Sequence, residues 1–406
     1  MKRRKLLQYA GLLTAASLIP IGMNGWAFRS VAQTNNPKRL IVIFLRGGVD
    51  GLNVVVPHQE ADYYEARPSI ALPKPGEKDG VLDLDGQFGL NPALKDIMPL
   101  WKQGSLAFVH ACGSPDFTRS HFDAQDYMET GTPGVKKTQD GWMNRLLAVL
   151  PQGEITQAIN LGDTPPRILM GKMPVTQLAT GKKGTVPLPL DQPQINEAFD
   201  RLYSGNDPVS LAYQEGDQAR QILLADLTSE MKEANKGDPL PDNFASDARR
   251  LAKLMVGDAR TQLGFIGLGG WDSHVNENAL LTRLLLPLGE GLAALAQELG
   301  PLYSDTVIMV ISEFGRTVGE NGNNGTDHGH GNVMWVLGGG IRGTQVYGAW
   351  PGLAESQLYE SRDLAITTDF RDAIAPVLTQ HLQISPAQLS QVFPGYTFQT
   401  SPNFLG

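Results

Sequence analysis

The chain has 406 residues, a formal charge of −8, seven histidines and a single cysteine, Cys112. One thiol excludes an internal disulfide, and a net negative surface disfavours nucleic acid or an anionic membrane as a partner. The length suits one large α/β domain with elaborations, or two domains.

Lys2, Arg3, Arg4 and Lys5 precede a moderately apolar run, and Ser30-Val31-Ala32 has the small-x-small form that a signal peptidase cleaves, so residues 1–32 are expected to be an export signal. The pair Arg3-Arg4 resembles a twin-arginine signal, with ordinary Sec export as its rival. An uncleaved anchor is disfavoured by the short apolar stretch and by Pro20 within it. Residues 1–32 carry Lys2, Arg3, Arg4, Lys5 and Arg29 and no acid, so their removal takes the formal charge from −8 to −13. The expected location is periplasmic or secreted, and no later stretch reads as a membrane span.

Arg39 to Leu45 is the first expected strand, and its run from Leu40 to Leu45 is apolar throughout, the mark of a strand buried on both faces of a parallel sheet. It runs into Arg46-Gly-Gly-Val-Asp50-Gly-Leu-Asn53, which places the Asp50 carboxylate just past the strand's carboxyl end, either as an Asx turn or as part of a site. Residues 58–103 are punctuated by Pro and Gly and read as a peripheral excursion, with a hairpin in Gly80 to Phe88. A second strand is expected over Ser105 to His110. A turn-rich loop follows and feeds a helix for which Ser120 is a natural N-cap and Asp123 the capping-box residue. A hydroxyl at that position also suits a nucleophile, because the helix start favours an anionic group. Beside it, Arg119 can hold a phosphate-like group and His121 can bind a metal.

Ala158 to Gly162 reads as another strand, and residues 195–203, 209–235 and 244–256 as amphipathic helices. The interval 163–260 is therefore either a helical cap inserted over a cleft or an ordinary helical layer. Gly264 to Trp271 returns to the sheet and delivers Asp272 and His274, which at i and i+2 of an extended chain can point to one ion, before a helix over Glu277 to Leu299. Thr306 to Ile311 is the most continuous apolar strand. Glu313 and Arg316 stand beyond its carboxyl end, where open α/β sheets form their ligand crevice. The Gly/Asn-rich loop after it carries Asp327, His328 and His330, a compact oxygen and nitrogen ligand set for a borderline divalent cation. Carboxylates and imidazoles thus recur after separate strands, which unrelated surface decoration would seldom produce.

Five pieces of this chain, Gly-Gly-Val-Asp50-Gly-Leu-Asn, Arg119-Ser-His-Phe-Asp-Ala-Gln, Gly-Gly-Trp-Asp272-Ser-His274, Ser312-Glu-Phe-Gly-Arg and Asp327-His-Gly-His-Gly, resemble those of the exported, uncharacterised DUF1501 proteins. Thr326-Asp-His-Gly-His further resembles the Thr-Ala-Asp-His motif of the alkaline phosphatase and sulfatase superfamily. That resemblance implies a three-layer α/β/α sandwich around a mostly parallel sheet, spanning 37–406, with a two-metal site and a hydroxyl or formylglycine nucleophile at a helix start. By it, Asp50 is the first-strand aspartate, Ser120 the nucleophile position, and Asp327-His328 an Asp-His metal pair. The chain departs from the pattern in having Asp272-Ser-His274 for Asp-x-x-x-His, and its only late histidine is His381, within an apolar helical stretch. His330, His121 or Asp369 would have to substitute, or one metal is missing.

The expected metal ligands are therefore Asp50, His121, Asp272, His274, Asp327, His328 and His330, and the expected catalytic groups are Ser120, Arg119, Glu313 and Arg316. Glu313 is open to three readings: ligand to a second ion, base, or partner of Arg316. The cofactor is one or two divalent ions, zinc first, with magnesium, manganese or calcium as alternatives. A hydrolase of small anionic phosphate or sulfate esters is the leading function. A metal-containing binding protein or a structural envelope protein on the same scaffold is the alternative. No Gly-x-Ser-x-Gly elbow, P-loop, dinucleotide fingerprint or Cys-x-x-Cys is present, which argues against carboxylesterase, nucleotide-triphosphatase, dinucleotide and thiol-redox chemistry.

Overall fold

A computed structural model describes residues 37–151, 157–178, 180, 235–399 and 401–406. The export signal, and the helices expected over 195–203 and most of 209–235, lie outside the described residues. Nine strands form the main sheet: β1 (Arg39–Leu45), β2 (Leu106–Gly113), β3 (Ala158–Leu161), β4 (Thr176–Leu178), β5 (Leu263–Leu268), β6 (Thr306–Ser312), β7 (Asn332–Gly338), β8 (Val346–Tyr347) and β9 (Thr368–Asp369). Their order is β8-β2-β7-β6-β1-β5-β3-β4, with β9 also paired to β2.

Strand direction brings the functional loops together. β1 pairs in parallel with β5, from Leu40↔Leu263 to Leu45↔Leu268, and with β6, from Arg39↔Thr306 to Leu45↔Ser312, so all three end on one edge. β7 is antiparallel to β6, and so begins on the edge where β6 ends. β2 is antiparallel to β7 in turn, with Asn332 opposite Cys112, so it ends on the same edge. Residues 46–53, 114–121, 269–274, 313–317 and 326–331 therefore meet at one rim, the position at which open α/β sheets bind ligands.

All seven residues of β1 are buried, and they alternate between two cores as the pleat dictates. Ile41, Ile43 and Leu45 pack in a cluster with Leu251 and Met255 of α3 (Phe244–Gly257) and with Leu284, Leu288 and Leu292 of α4 (Glu277–Leu299). Leu40, Val42 and Phe44 face a second cluster with Leu146 and Leu147 of α2 (Trp142–Val149) and Phe370, Ile374 and Phe393. The result is three layers, helices on both faces of a mostly parallel sheet. α3 and α4 match the helices expected at those positions. α4 corrects one expectation, because among the described residues it is long and apolar enough to cross a membrane. Its apolar stripe is instead spent on the core, with Leu281, Leu284, Leu285, Leu288, Leu292, Leu295 and Leu299 buried at helical spacing.

The excursion after β1 forms its expected hairpin, Leu82–Asp83 against Gly89–Leu90, and adds Val55–Val56 to make a small antiparallel sheet. His381 is buried away from the rim, its Nε2 against the Arg39 carbonyl at 3.0 Å. Leu288 is fully buried between α4 and the sheet. Leu288→Ala is expected to cost about 2–5 kcal/mol in denaturant unfolding. Glu290→Ala, on the exposed face of the same helix, should change stability by less than about 0.5 kcal/mol. Equal effects at the two positions would mean that α4 is not docked as described.

Candidate metal centre

Three imidazoles and one carboxylate converge at the sheet rim. His121 is the first residue of α1 (His121–Thr130), Asp272 and His274 follow β5, and His328 sits in the loop before β7. Nε2 of His121 lies 2.9 Å from Nε2 of His328, which is 3.0 Å from Nε2 of His274. Oδ1 of Asp272 is 3.0 Å from His274 Nε2, 3.3 Å from His328 Nε2 and 3.5 Å from His121 Nε2.

Each ring is turned by what holds its other nitrogen. Nδ1 of His121 meets Glu313 Oε1 at 2.8 Å, Nδ1 of His328 meets the Arg119 carbonyl at 2.9 Å, and Nδ1 of His274 meets Asp327 Oδ1 at 3.3 Å. All three partners are acceptors, so each Nδ1 is placed to donate and each Nε2 is turned toward the centre. Glu313 is itself fixed by the Gly47 amide and by the Gln125 side chain, both donating to Oε1 at 2.8 Å. Gln125 stands one helical turn beyond His121, so the two side chains grip one carboxylate from the same face of α1.

Local backbone explains the loops. Arg316 and His328 form an isolated antiparallel bridge, supported by Gly329 N donating to Gly315 O at 2.8 Å and by Thr317 N donating to Asp327 O at 2.9 Å. A Cβ at Gly315 would lie 1.8 Å from the Gly331 carbonyl, so only glycine permits this approach.

The carboxylates are strongly biased toward the charged form. Burial works to raise Asp272, but Arg316 and hydrogen bonds from His121, His274 and His328 hold it far below the usual carboxylate range. Burial likewise opposes the charge on Glu313, yet His121 and Gln125 bring it down to about 2. For His121, burial is outweighed by Asp272 and Glu313, which raise it to about 9. His328 is pushed down, by burial first and also by the positive charges of Arg316 and His121.

Several expected site residues have other partners. Asp50 stands outside the cluster, with both oxygens bonded to Arg67 at 2.5 and 3.1 Å. Asp327 turns outward, 60% exposed, and orients His274 rather than joining the ligand centre. His330 is stacked on Tyr359, with ring centroids 4.4 Å apart. Glu313 faces His121, not Arg316, and is fully buried, so it acts as an orienting group. Arg316 is not free for a substrate, because it bonds Asp272 and the carbonyls of Gly47, Gly48, Trp271 and Thr326. Arg119 spends Nε and Nη2 on Asp363, at 3.1 and 2.7 Å, and Nη2 also on Glu360. Asp369 pairs with Arg371. Ser120 occupies the N-cap position of α1 and is exposed, but its side chain caps nothing, and Asp123 pairs with Lys136, so the expected capping box is absent. The sequence reading missed Gln125, although its i+4 spacing from His121 is a signal. It also missed Arg362, which donates from Nη2 to the His328 carbonyl and from Nε to Asp363.

The family model for the protein of unknown function DUF1501 matches residues 107–393. The chain belongs to the DUF1501 family. No curated protein matches this DUF1501 chain by sequence. Among solved structures, it is similar to a protein in the alkaline phosphatase superfamily from Vibrio parahaemolyticus, at 12% identity and a TM-score of 0.45, over 86% of this chain and 67% of the other. It is also similar to BT1596, a 2-O GAG sulfatase, at 11% identity and a TM-score of 0.41, over 90% and 76%. A putative sulfatase from Bacteroides thetaiotaomicron matches at 9% identity and a TM-score of 0.39, over 90% and 76%.

The donor set of the DUF1501 chain fits a divalent ion. His121, Asp272 and His328 offer atoms within 4.8 Å of one another, and His274 Nε2 adjoins two of them. A tetrahedral ion with bonds of about 2.0–2.1 Å spaces its donors roughly 3.3–3.4 Å apart, near the separations seen here. Oδ2 of Asp272 is moreover buried without a hydrogen-bond partner, an acceptor that an ion would satisfy. Zinc present at 100 to 1,000 times its Kd should raise unfolding stability by about 3–4 kcal/mol. His328→Ala should abolish that gain while His330→Ala keeps it. A gain that survives His328→Ala would contradict the site.

Proposed function

We propose that the chain is an exported metal-dependent hydrolase of phosphate or sulfate esters, with the ion held by His121, Asp272, His274 and His328. The observation that carries the reading is the convergence of three Nε2 atoms, each oriented through its Nδ1, on one buried carboxylate. Nitrogen-rich coordination of this kind favours zinc over magnesium or calcium. A bound divalent ion would polarise an ester oxygen and lower the pKa of a nearby hydroxyl or water.

The remaining chemistry belongs to side chains at the rim. Ser120 precedes the ligand His121, is exposed, and is spared from capping α1, so its hydroxyl is the candidate nucleophile. Arg119 and Arg362 flank His328 and are 29% and 44% exposed in their side chains. Asp363, buried between them, holds both guanidinium planes, and Nη1 of each lies outside those bonds. A sulfuryl or phosphoryl oxygen suits such donors. Glu313 and Gln125 keep His121 in place, and Arg316 keeps Asp272 charged.

A second reading has its own observation. Four protein donors already complete a tetrahedral set, as structural zinc sites do, whereas catalytic sites leave a position open. A metal-containing binding or structural protein on this scaffold would look the same.

An ester panel separates the two. Zinc-loaded protein is expected to turn over an aryl phosphate or aryl sulfate, to lose that activity with chelator, and to regain it with zinc. Ser120→Ala should lower turnover by roughly a thousandfold or more with metal still bound. Fully metallated protein without any esterase activity would favour the binding protein. Unchanged activity in Ser120→Ala would assign the nucleophile to water.

A further inference from the structure

The loops that carry the ligands also build a second buried polar cluster. Asp50, Asn53, Arg67, Ser273, Glu277 and Thr326 are all fully buried there. Thr326 Oγ1 donates to Glu277 Oε2 at 2.5 Å, and Ser273 Oγ donates to the same oxygen at 3.3 Å. Asn53 Nδ2 reaches Glu277 Oε1 at 3.4 Å. By donor type alone, two carboxylates, two hydroxyls and an amide resemble an oxygen-rich cation site. Ser273 lies between Asp272 and His274, and Thr326 lies two residues before His328, so this cluster adjoins the metal centre through two loops.

The Arg67 guanidinium decides what the cluster holds. Its Nη1 donates to Asp50 Oδ2 at 2.5 Å and to Asn53 Oδ1 at 2.8 Å, and its Nη2 to Asp50 Oδ1 at 3.1 Å and the Thr317 carbonyl at 2.9 Å. Nε donates to the Val318 carbonyl at 2.8 Å. All five N–H groups of the guanidinium are thereby used. A cation at Asp50 would have to displace a fully buried, fully bonded charge, which is far costlier than leaving it in place.

Charge balance agrees. Burial and the neighbouring Asp50 charge push Glu277 well above the usual carboxylate range. Burial opposes the charge on Asp50, and Arg67 more than offsets that opposition. Geometrically, the Asp50 carboxylate already has its cation, since Arg67 bonds both of its oxygens. Asp272 differs: Arg316 bonds only its Oδ1, and Oδ2 has no partner.

We propose that the centre binds a single divalent ion, and that the Arg67 guanidinium takes the place of a second cation beside Asp50. This rests on the metal reading above. The test is native mass spectrometry with elemental analysis of the purified protein, titrated first with zinc alone and then with magnesium, manganese or calcium added. One zinc per chain and no further ion is the expected result. Two zinc ions, or one zinc joined by a harder ion, would overturn the proposal. No bound ion of any kind would instead remove the metal reading on which it stands. Glu277→Gln, an isostere of the protonated acid, provides a second measurement: one ion and an unchanged melting temperature are expected. Loss of an ion in that variant would show that Glu277 is a ligand, and would overturn the proposal by itself.

Discussion

Asp272 keeps a negative charge inside the protein, at 1% exposure, and the geometry of the rim depends on how that charge is satisfied. A carboxylate removed from water costs several kcal/mol unless charged partners surround it. Arg316 provides one such partner from the β6 loop, itself anchored by carbonyls of the β1 and β5 loops. The imidazoles of His121, His274 and His328 approach from three other sides. Parallel pairing of β1 with β5 and β6 makes this possible, because it delivers Asp272, Arg316 and Gly47 to one edge in register.

Orientation is set one layer further out. A carboxylate, a backbone carbonyl and a second carboxylate hold the three Nδ1 atoms, so the Nε2 atoms face inward. Such outer contacts fix the tautomer and raise the basicity of a ligand imidazole. Glu313 is the most constrained of the three supports, since it is gripped by Gly47, Gln125 and His121 together. It aims the His121 ring, and its burial keeps it from water.

The strands were readable because uninterrupted runs of apolar and β-branched residues such as 40–45 and 306–311 suit a sheet buried on both faces. The four central ligand candidates were readable too, since Asp272 and His274 stand just beyond β5, His328 in the glycine-rich loop after β6, and His121 at a helix start. Pattern could not show which neighbours turn inward. Asp327 and His328 are consecutive on an extended bridge, and such residues face opposite sides, so His328 enters the centre while Asp327 meets solvent. Asp50 looked like a ligand because nothing in its spacing reveals that Arg67 returns from the peripheral excursion to bond both oxygens. Arg316 and Arg119 likewise looked free until the tertiary contacts with Asp272 and Asp363 were seen.

The central claim is that three imidazoles and Asp272 share one ion. X-ray absorption at the zinc edge of loaded protein tests it most directly. A first shell of nitrogen and oxygen at about 2.0–2.1 Å, with the outer scattering of three imidazole rings, is the expected spectrum. A shell of oxygens alone, or one without imidazole scattering, would contradict the account.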